Sequence, residues 1–155
     1  MKLCCLDQST KKTGYSIWNN GNLLKYGVID VDESLGSLDR VCEMYEAVKK
    51  LIKAEKPDFV CIEDTQFQKN PKVLKRLSQM QGAIFAILIE EDIGFYIIEP
   101  SAWKSYVEIK SKKREDQKKE TIEFVKKTYS IKEPTEDEAD SIAIGHWAIN
   151  NLTVD

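Results

Sequence analysis

Residues 2–31 read KLCCLDQSTKKTGYSIWNNGNLLKYGVIDV, and this stretch decides how the chain folds. KLCCLD is an unbroken apolar run closed by Asp7, the pattern of a strand buried on both faces. QSTKKTG is a turn. YSIWN and NLLKYGVIDV are two further strands, and the NNG between them is a strong hairpin signal. Three strands joined by short turns predict an antiparallel ribbon with Asp7 at one end.

Beyond the ribbon the pattern changes. From Ser37, the apolar positions Val41, Met44, Tyr45, Val48, Leu51 and Ile52 keep helical spacing, and this helix stops before Pro57. DFVCIE is a short buried strand ending at Glu63. KNPKVLKRLSQMQGAIFAILIEE is a second helix, with Asn70 as its cap and Pro71 in its first position. GFYIIE is a strand closed by Pro100. SAWKSYVEI follows as a short helix with Ser101 as its cap, then EDQKKETIEFVKKTY as another. After a loop with Pro134, the last helix runs from about Glu136 to Asn151. This order predicts an α/β fold: a mixed sheet of three antiparallel strands plus parallel strands, flanked by helices. A ribonuclease-H-like fold has this order. The length of 155 residues predicts one domain over 1–155.

Asp7 and Glu63 both stand at the C-terminal ends of predicted strands, the edge where functional groups gather in open α/β sheets. The last helix opens on PTEDEADSIAIGHW. Acids suit the first turn of a helix because they complement its dipole. Asp137 and Asp140 are three apart, however, and share a face that continues through Ile144 and Trp147 toward the core. Four converging carboxylates would repel and protonate without cations. Two Mg²⁺ ions resolve this, because hard cations take oxygen ligands. A pair about 3.5–4 Å apart clamps the attacking and leaving oxygens of a phosphodiester. Glu133, Glu136 and Glu138 read as dipole and solubility residues, and Asp64 as a weaker candidate on the opposite strand face.

Three segments carry a family resemblance: LDQSTKKTGYSI, CIEDTQFQKNPKVLKRLSQMQGAI and DEADSIAIGHW. In these, and in their order, the chain resembles the RuvC family of Holliday-junction resolvases. The resemblance implies that Asp7, Glu63, Asp137 and Asp140 are the metal ligands and catalytic carboxylates. It implies Mg²⁺ as cofactor, with Mn²⁺ as a substitute. It also implies a homodimer that nicks opposed strands of a four-way junction or other branched DNA. The bacterial enzymes carry an aromatic three residues after the glutamate, whereas here that position is Gln66 and the aromatic is Phe67. This departure resembles the phage-borne branch, which implies structure-selective cutting in a bacterial host cytoplasm. The resemblance also implies a cleavage-assisting lysine in the family's basic segment, whose counterpart here is Lys113 or Arg114, a choice that spacing does not fix.

The basic residues fall into two groups. Lys69, Lys72, Lys75 and Arg76 recur at helical spacing in a stretch without acids between Thr65 and Ile89, where they can hold phosphates. Lys110, Lys112, Lys113, Arg114, Lys118 and Lys119 form the second cluster. Phe67 is a candidate for stacking on an unpaired base. Gly14, in the turn, is read as a residue with an unusual backbone angle. His146 reads as a core or interface residue, and Trp103 and Trp147 read as core.

Net charge is −3, which argues weakly against nucleic-acid binding until divalent ions neutralise the acids. The longest apolar run, AIFAILI, is too short to span a membrane, and no signal pattern opens the chain, so the expected location is cytoplasmic. Cys4, Cys5, Cys42 and Cys61 form no metal motif and read as small buried hydrophobes. Two other functions compete with the nuclease. An actin-like or sugar-kinase-like ATPase also opens with a strand, an aspartate and a Thr/Gly hairpin, but needs two such domains. A non-catalytic junction-binding module would be favoured if any of the four acids were missing.

Overall fold

The computed structural model describes residues 1–66 and 69–153. Five strands, β1 (Lys2–Asp7), β2 (Lys12–Asn19), β3 (Asn22–Asp30), β4 (Phe59–Glu63) and β5 (Gly94–Ile98), form one sheet in the order β3-β2-β1-β4-β5. β2 is antiparallel to β1 and β3, while β4 runs parallel to both β1 and β5. The helices are α1 (Ser37–Glu55), α2 (Pro71–Glu90), α3 (Pro100–Tyr106), α4 (Arg114–Tyr129) and α5 (Glu136–Asn151). The expected mixed sheet is present, with β1 at its centre.

Side-chain alternation sorts the core into two layers. Cys4 and Leu6 of β1, with Val60 and Ile62 of β4, pack against α1 and α2. Leu3, Cys5 and Cys61 point the other way, into the layer built by α3, α4 and α5. The same alternation carries Asp7 and Glu63 onto the α5 side, because each lies two residues beyond Cys5 or Cys61. The register Cys5↔Cys61 and Leu6↔Ile62 brings the two strand ends side by side.

The NNG signal is realised as a two-residue hairpin. Asn19 pairs with Asn22, and Asn20 and Gly21 both take positive φ, 47° and 80°. The preceding turn is shorter than the sequence suggests, because β2 starts at Lys12. Ser9 Oγ accepts from the Lys11 and Lys12 N–H groups at 3.2 and 3.3 Å, and Thr13 Oγ1 donates to the Ser9 carbonyl at 3.1 Å. These hydroxyls shape the turn by supplying the partners that its backbone lacks. α2 begins as expected, with Asn70 accepting from Lys72 N–H and Pro71 next. α3 does not. Its N-cap position is Glu99, with Pro100 at N1 and Ser101 already inside the first turn, because proline's fixed φ suits N1. Cys42 also departs from expectation: it is exposed on the outer side of α1, while Cys4, Cys5 and Cys61 are buried. Among the described residues no helix is long and apolar enough to cross a membrane.

Candidate active site

α5 is anchored before it delivers its acids. Thr135 accepts from Glu138 N–H at 3.2 Å, and Glu138 Oε2 accepts from Thr135 N–H at 2.8 Å, closing a capping box. Ser16 Oγ on β2 donates to the Ser141 carbonyl at 2.7 Å and accepts from Trp18 Nε1 at 2.9 Å. Both serines are fully buried, so this short network ties α5 to the sheet. The approach is close enough to need two glycines. A Cβ at Gly145 would lie 2.0 Å from Trp18 Nε1, and one at Gly14 would lie 2.0 Å from the Asp137 carbonyl oxygen.

Gly14 therefore plays a different part from the one expected. It sits in β2, paired with Asp7 and Val28, and among the described glycines only Gly21 has positive φ. Its missing side chain lets the start of α5 rest on the strand. Gly14→Ala is expected to destabilise the fold by about 1–3 kcal/mol through overpacking. It should also slow cleavage, because the backbone that shifts is that of Asp137. Thermal melting and cleavage rates on the same preparation check both.

Asp7, Glu63, Asp137 and Asp140 line one cavity of about 410 Å³. Burial pushes the Asp7 carboxyl well above its ordinary range, and the charges of Glu63, Asp140 and Asp137 push it the same way. Asp140 rises to about 7, first by burial and then by the charge of Glu63. Glu63 is raised by burial, against the pull of the Trp103 indole N–H and of Lys104. Asp137 is raised by burial, with Lys12 opposing. Four such groups cannot all ionise in a small volume unless cations join them. Among the described residues no trio of His, Cys, Asp or Glu side chains is already drawn into a metal cage. Even so, the donor set fits a hard divalent ion, since all four acids offer carboxylate oxygens. Gln8 Oε1, beside Asp7, is a buried acceptor with no protein partner among the described residues.

The match to known proteins follows the same frame. Residues 3–147 match the family described as Crossover junction endodeoxyribonuclease RuvC. The chain belongs to the RuvC family. It is 31% identical over 161 residues to the crossover junction endodeoxyribonuclease RuvC of Campylobacter concisus, covering 99% of each chain. The solved Thermus thermophilus RuvC in complex with Holliday junction substrate superposes with a TM-score of 0.78 at 18% identity, covering 95% of this chain and 91% of that one. The yeast mitochondrial Holliday junction resolvase Ydc2 gives 0.66 at 16%, covering 95% and 77%. The fold is thus the ribonuclease-H-like one of RuvC and Ydc2. RuvC membership favours a junction endonuclease over the ATPase and the non-catalytic module.

Within this RuvC-family cavity the basic rim differs in part from expectation. Lys112, Arg114 and Lys118 line it, whereas Lys113 occupies the N-cap position of α4 and lies outside the lining. Lys110, Lys69, Lys72, Lys75 and Arg76 are also outside it. Lys72 and Lys75 are exposed on α2. Phe67 lies outside the described residues. Glu136 belongs to the rim and pairs with Lys118, while Glu138 is spent on the capping box. Asp64 accepts from Thr65 N–H and from Gln81. His146 is half-buried, 2.5 Å from the Tyr129 hydroxyl and edge-on to Phe124, as a core residue should be. Trp147 is half-buried and stacks on Tyr96.

Lys12, Lys104, Gln8 and the Trp103 N–H bonded to Glu63 were not read from the sequence as site groups. Lys12 and Lys104 line the cavity. Lys104 had a positional signal: Pro100 starts a helix just past the C-terminal end of β5, beside the parallel strand end that carries Glu63.

Proposed function

We propose that the chain, as a single nuclease domain over 1–155, is a divalent-metal-dependent, structure-selective endonuclease that resolves four-way DNA junctions and other branched DNA by paired nicks. The observation that carries this reading is the convergence of Asp7, Glu63, Asp137 and Asp140, drawn from three separate elements of the chain, on one cavity with a basic rim. Asp7 and Glu63 from the sheet, with Asp137 and Asp140 from α5, would hold two Mg²⁺ ions, or Mn²⁺ in their place. The chemistry that such ions supply when bound is Lewis-acid activation of water and relief of the charge that grows on the phosphate.

The chain's own groups do the rest. Lys12, Lys104, Lys112, Arg114 and Lys118 surround the acids and bind the backbone phosphates that flank the scissile bond. Lys72, Lys75 and Arg76 extend the positive surface along α2 and respond to junction shape rather than base identity. The cavity lies at the C-terminal ends of β1 and β4, where Asp7 and Glu63 stand.

Paired nicks call for two sites related by a two-fold axis, so the working form is a homodimer. The part of α2 left free for such an interface is limited, because its inner face is already buried. Met80 and Ile84 are wholly inside the core. Val73, Gly82, Ala86 and Ile89 remain exposed, and small residues among them permit close helix approach.

The test is a synthetic four-way junction beside a linear duplex of the same sequence, each with Mg²⁺ and with EDTA. Two opposed nicks in the junction, only with Mg²⁺, are expected. Equal cutting of the duplex, or cutting in EDTA, would overturn the reading.

A further inference from the structure

Glu63 is held by more than its own strand. Its Oε1 accepts a 2.7 Å hydrogen bond from Trp103 Nε1, and Trp103 is fully buried. The indole arrives from α3, which leaves β5, the parallel neighbour of β4. The backbone of residue 63 is tied as well. Gln8, the residue that follows Asp7, donates from Nε2 to the Glu63 carbonyl at 2.6 Å. Gln81 Nε2 of α2 reaches the same carbonyl at 3.4 Å and Asp64 Oδ1 at 3.3 Å. β1, α2 and α3 therefore all grip one residue.

Hydrophobic burial accounts for a large ring at position 103, which Phe would also supply. It does not account for the direction of the N–H. A buried indole needs one acceptor, and a neutral carbonyl would serve. Here the acceptor is a carboxylate that faces the cavity, and carboxylates are costly to bury. The ring does a second thing: Lys104 Nζ lies 5.4 Å from the indole centroid and 3.3 Å from Gln117 Oε1. Stacking and amide contact together steady that ammonium on the cavity rim.

The geometry assigns Trp103 as a positioning residue. Its N–H fixes the orientation of Glu63 so that the second carboxylate oxygen is kept for a divalent ion, and its ring carries Lys104 over the same cavity. A partner of this kind acts by removing the rotamers in which the ligand points away, and losing it weakens metal binding by about 10–100-fold in known sites. The inference rests on the metal reading of the four carboxylates.

The test uses the whole protein without DNA and measures Mn²⁺ affinity from the free-ion electron paramagnetic resonance signal. Trp103→Phe keeps the ring in the core and removes the N–H, and is expected to weaken Mn²⁺ binding by about tenfold or more. If Trp103→Phe does not fold, site-specific replacement of Trp103 by benzothienylalanine, which has the indole shape and no N–H, decides the matter. A core role alone would lower the melting temperature and leave the Mn²⁺ affinity of the folded protein unchanged, and that result would overturn the inference. Glu63→Gln is the accompanying control. If Glu63→Gln weakens Mn²⁺ binding and neither Trp103 replacement does, the clamp fails and the metal reading stands. If Glu63→Gln binds Mn²⁺ like the wild type, the metal reading of Glu63 itself fails, and the clamp falls with it.

Discussion

Asp7→Asn is expected to abolish cleavage of a four-way junction, by about 10³-fold or more, while the protein stays folded and still binds the junction. Asp7 ends the central strand, and the neighbouring charges of Glu63, Asp140 and Asp137 all act on it. Replacing it with an amide removes the proposed charged ligand without changing the volume of the site. Loss of several kcal/mol of stabilisation at a metal-assisted phosphoryl centre corresponds to a rate loss of that size. On the proposed reading, binding rests on other groups, the basic residues of the rim and of α2, so it should be retained in Ca²⁺ or EDTA. The metal-free variant should be at least as stable as the wild type, because it removes a buried acid whose charge the fold disfavours. Gel-shift and cleavage assays on one labelled junction check the two halves. Near-normal cutting by Asp7→Asn would refute the assignment.

Without divalent ions, the protein is expected to lose stability as pH rises from about 4 toward 8. The folded Asp140 carboxyl titrates at about 7, raised from an ordinary 3.8. The folded state therefore holds a proton that the unfolded state has already released, and stability falls with pH across that interval. The contribution is fully present below about 4 and is lost as pH passes through 7. For Asp140 alone its ceiling is on the order of 4 kcal/mol. Asp7 is displaced in the same direction and steepens the slope. Millimolar Mg²⁺ should flatten the profile at pH 7–8 by binding the ionised form, and Asp140→Asn should flatten it without metal. Melting curves at several pH values, in EDTA and in Mg²⁺, decide this. A metal-free Tm that rose between pH 5 and 8 would contradict it.

Much of this frame was legible in the residues. The run KLCCLD announces a doubly buried strand because no polar side chain interrupts it until Asp7. NNG announces a hairpin because Asn and Gly tolerate positive φ. The spacing of Asp137 and Asp140 shows a shared face. Alternation in β1 and β4 puts Asp7 and Glu63 on one side of the sheet, and α5 packed on that side brings the other two acids to it. What stayed hidden depends on contacts between distant elements. Nothing local to Gly14 says that the carbonyl of Asp137 will lie against it, so its role reads as turn geometry. Trp103 looks like core because burial and ring size are all that sequence registers, while the direction of its N–H depends on where α3 leaves β5. The basic rim was only half legible. A lysine run shows positive charge, but which members face the acids depends on where α4 begins, and it begins just after Lys113.

The measurement that bears most directly on the four-carboxylate site is anomalous scattering from crystals of the wild-type protein grown with Mn²⁺. The expected result is manganese between Asp7, Glu63, Asp137 and Asp140, with Glu63 still bonded to Trp103. Manganese bound elsewhere with this cavity empty would contradict the account.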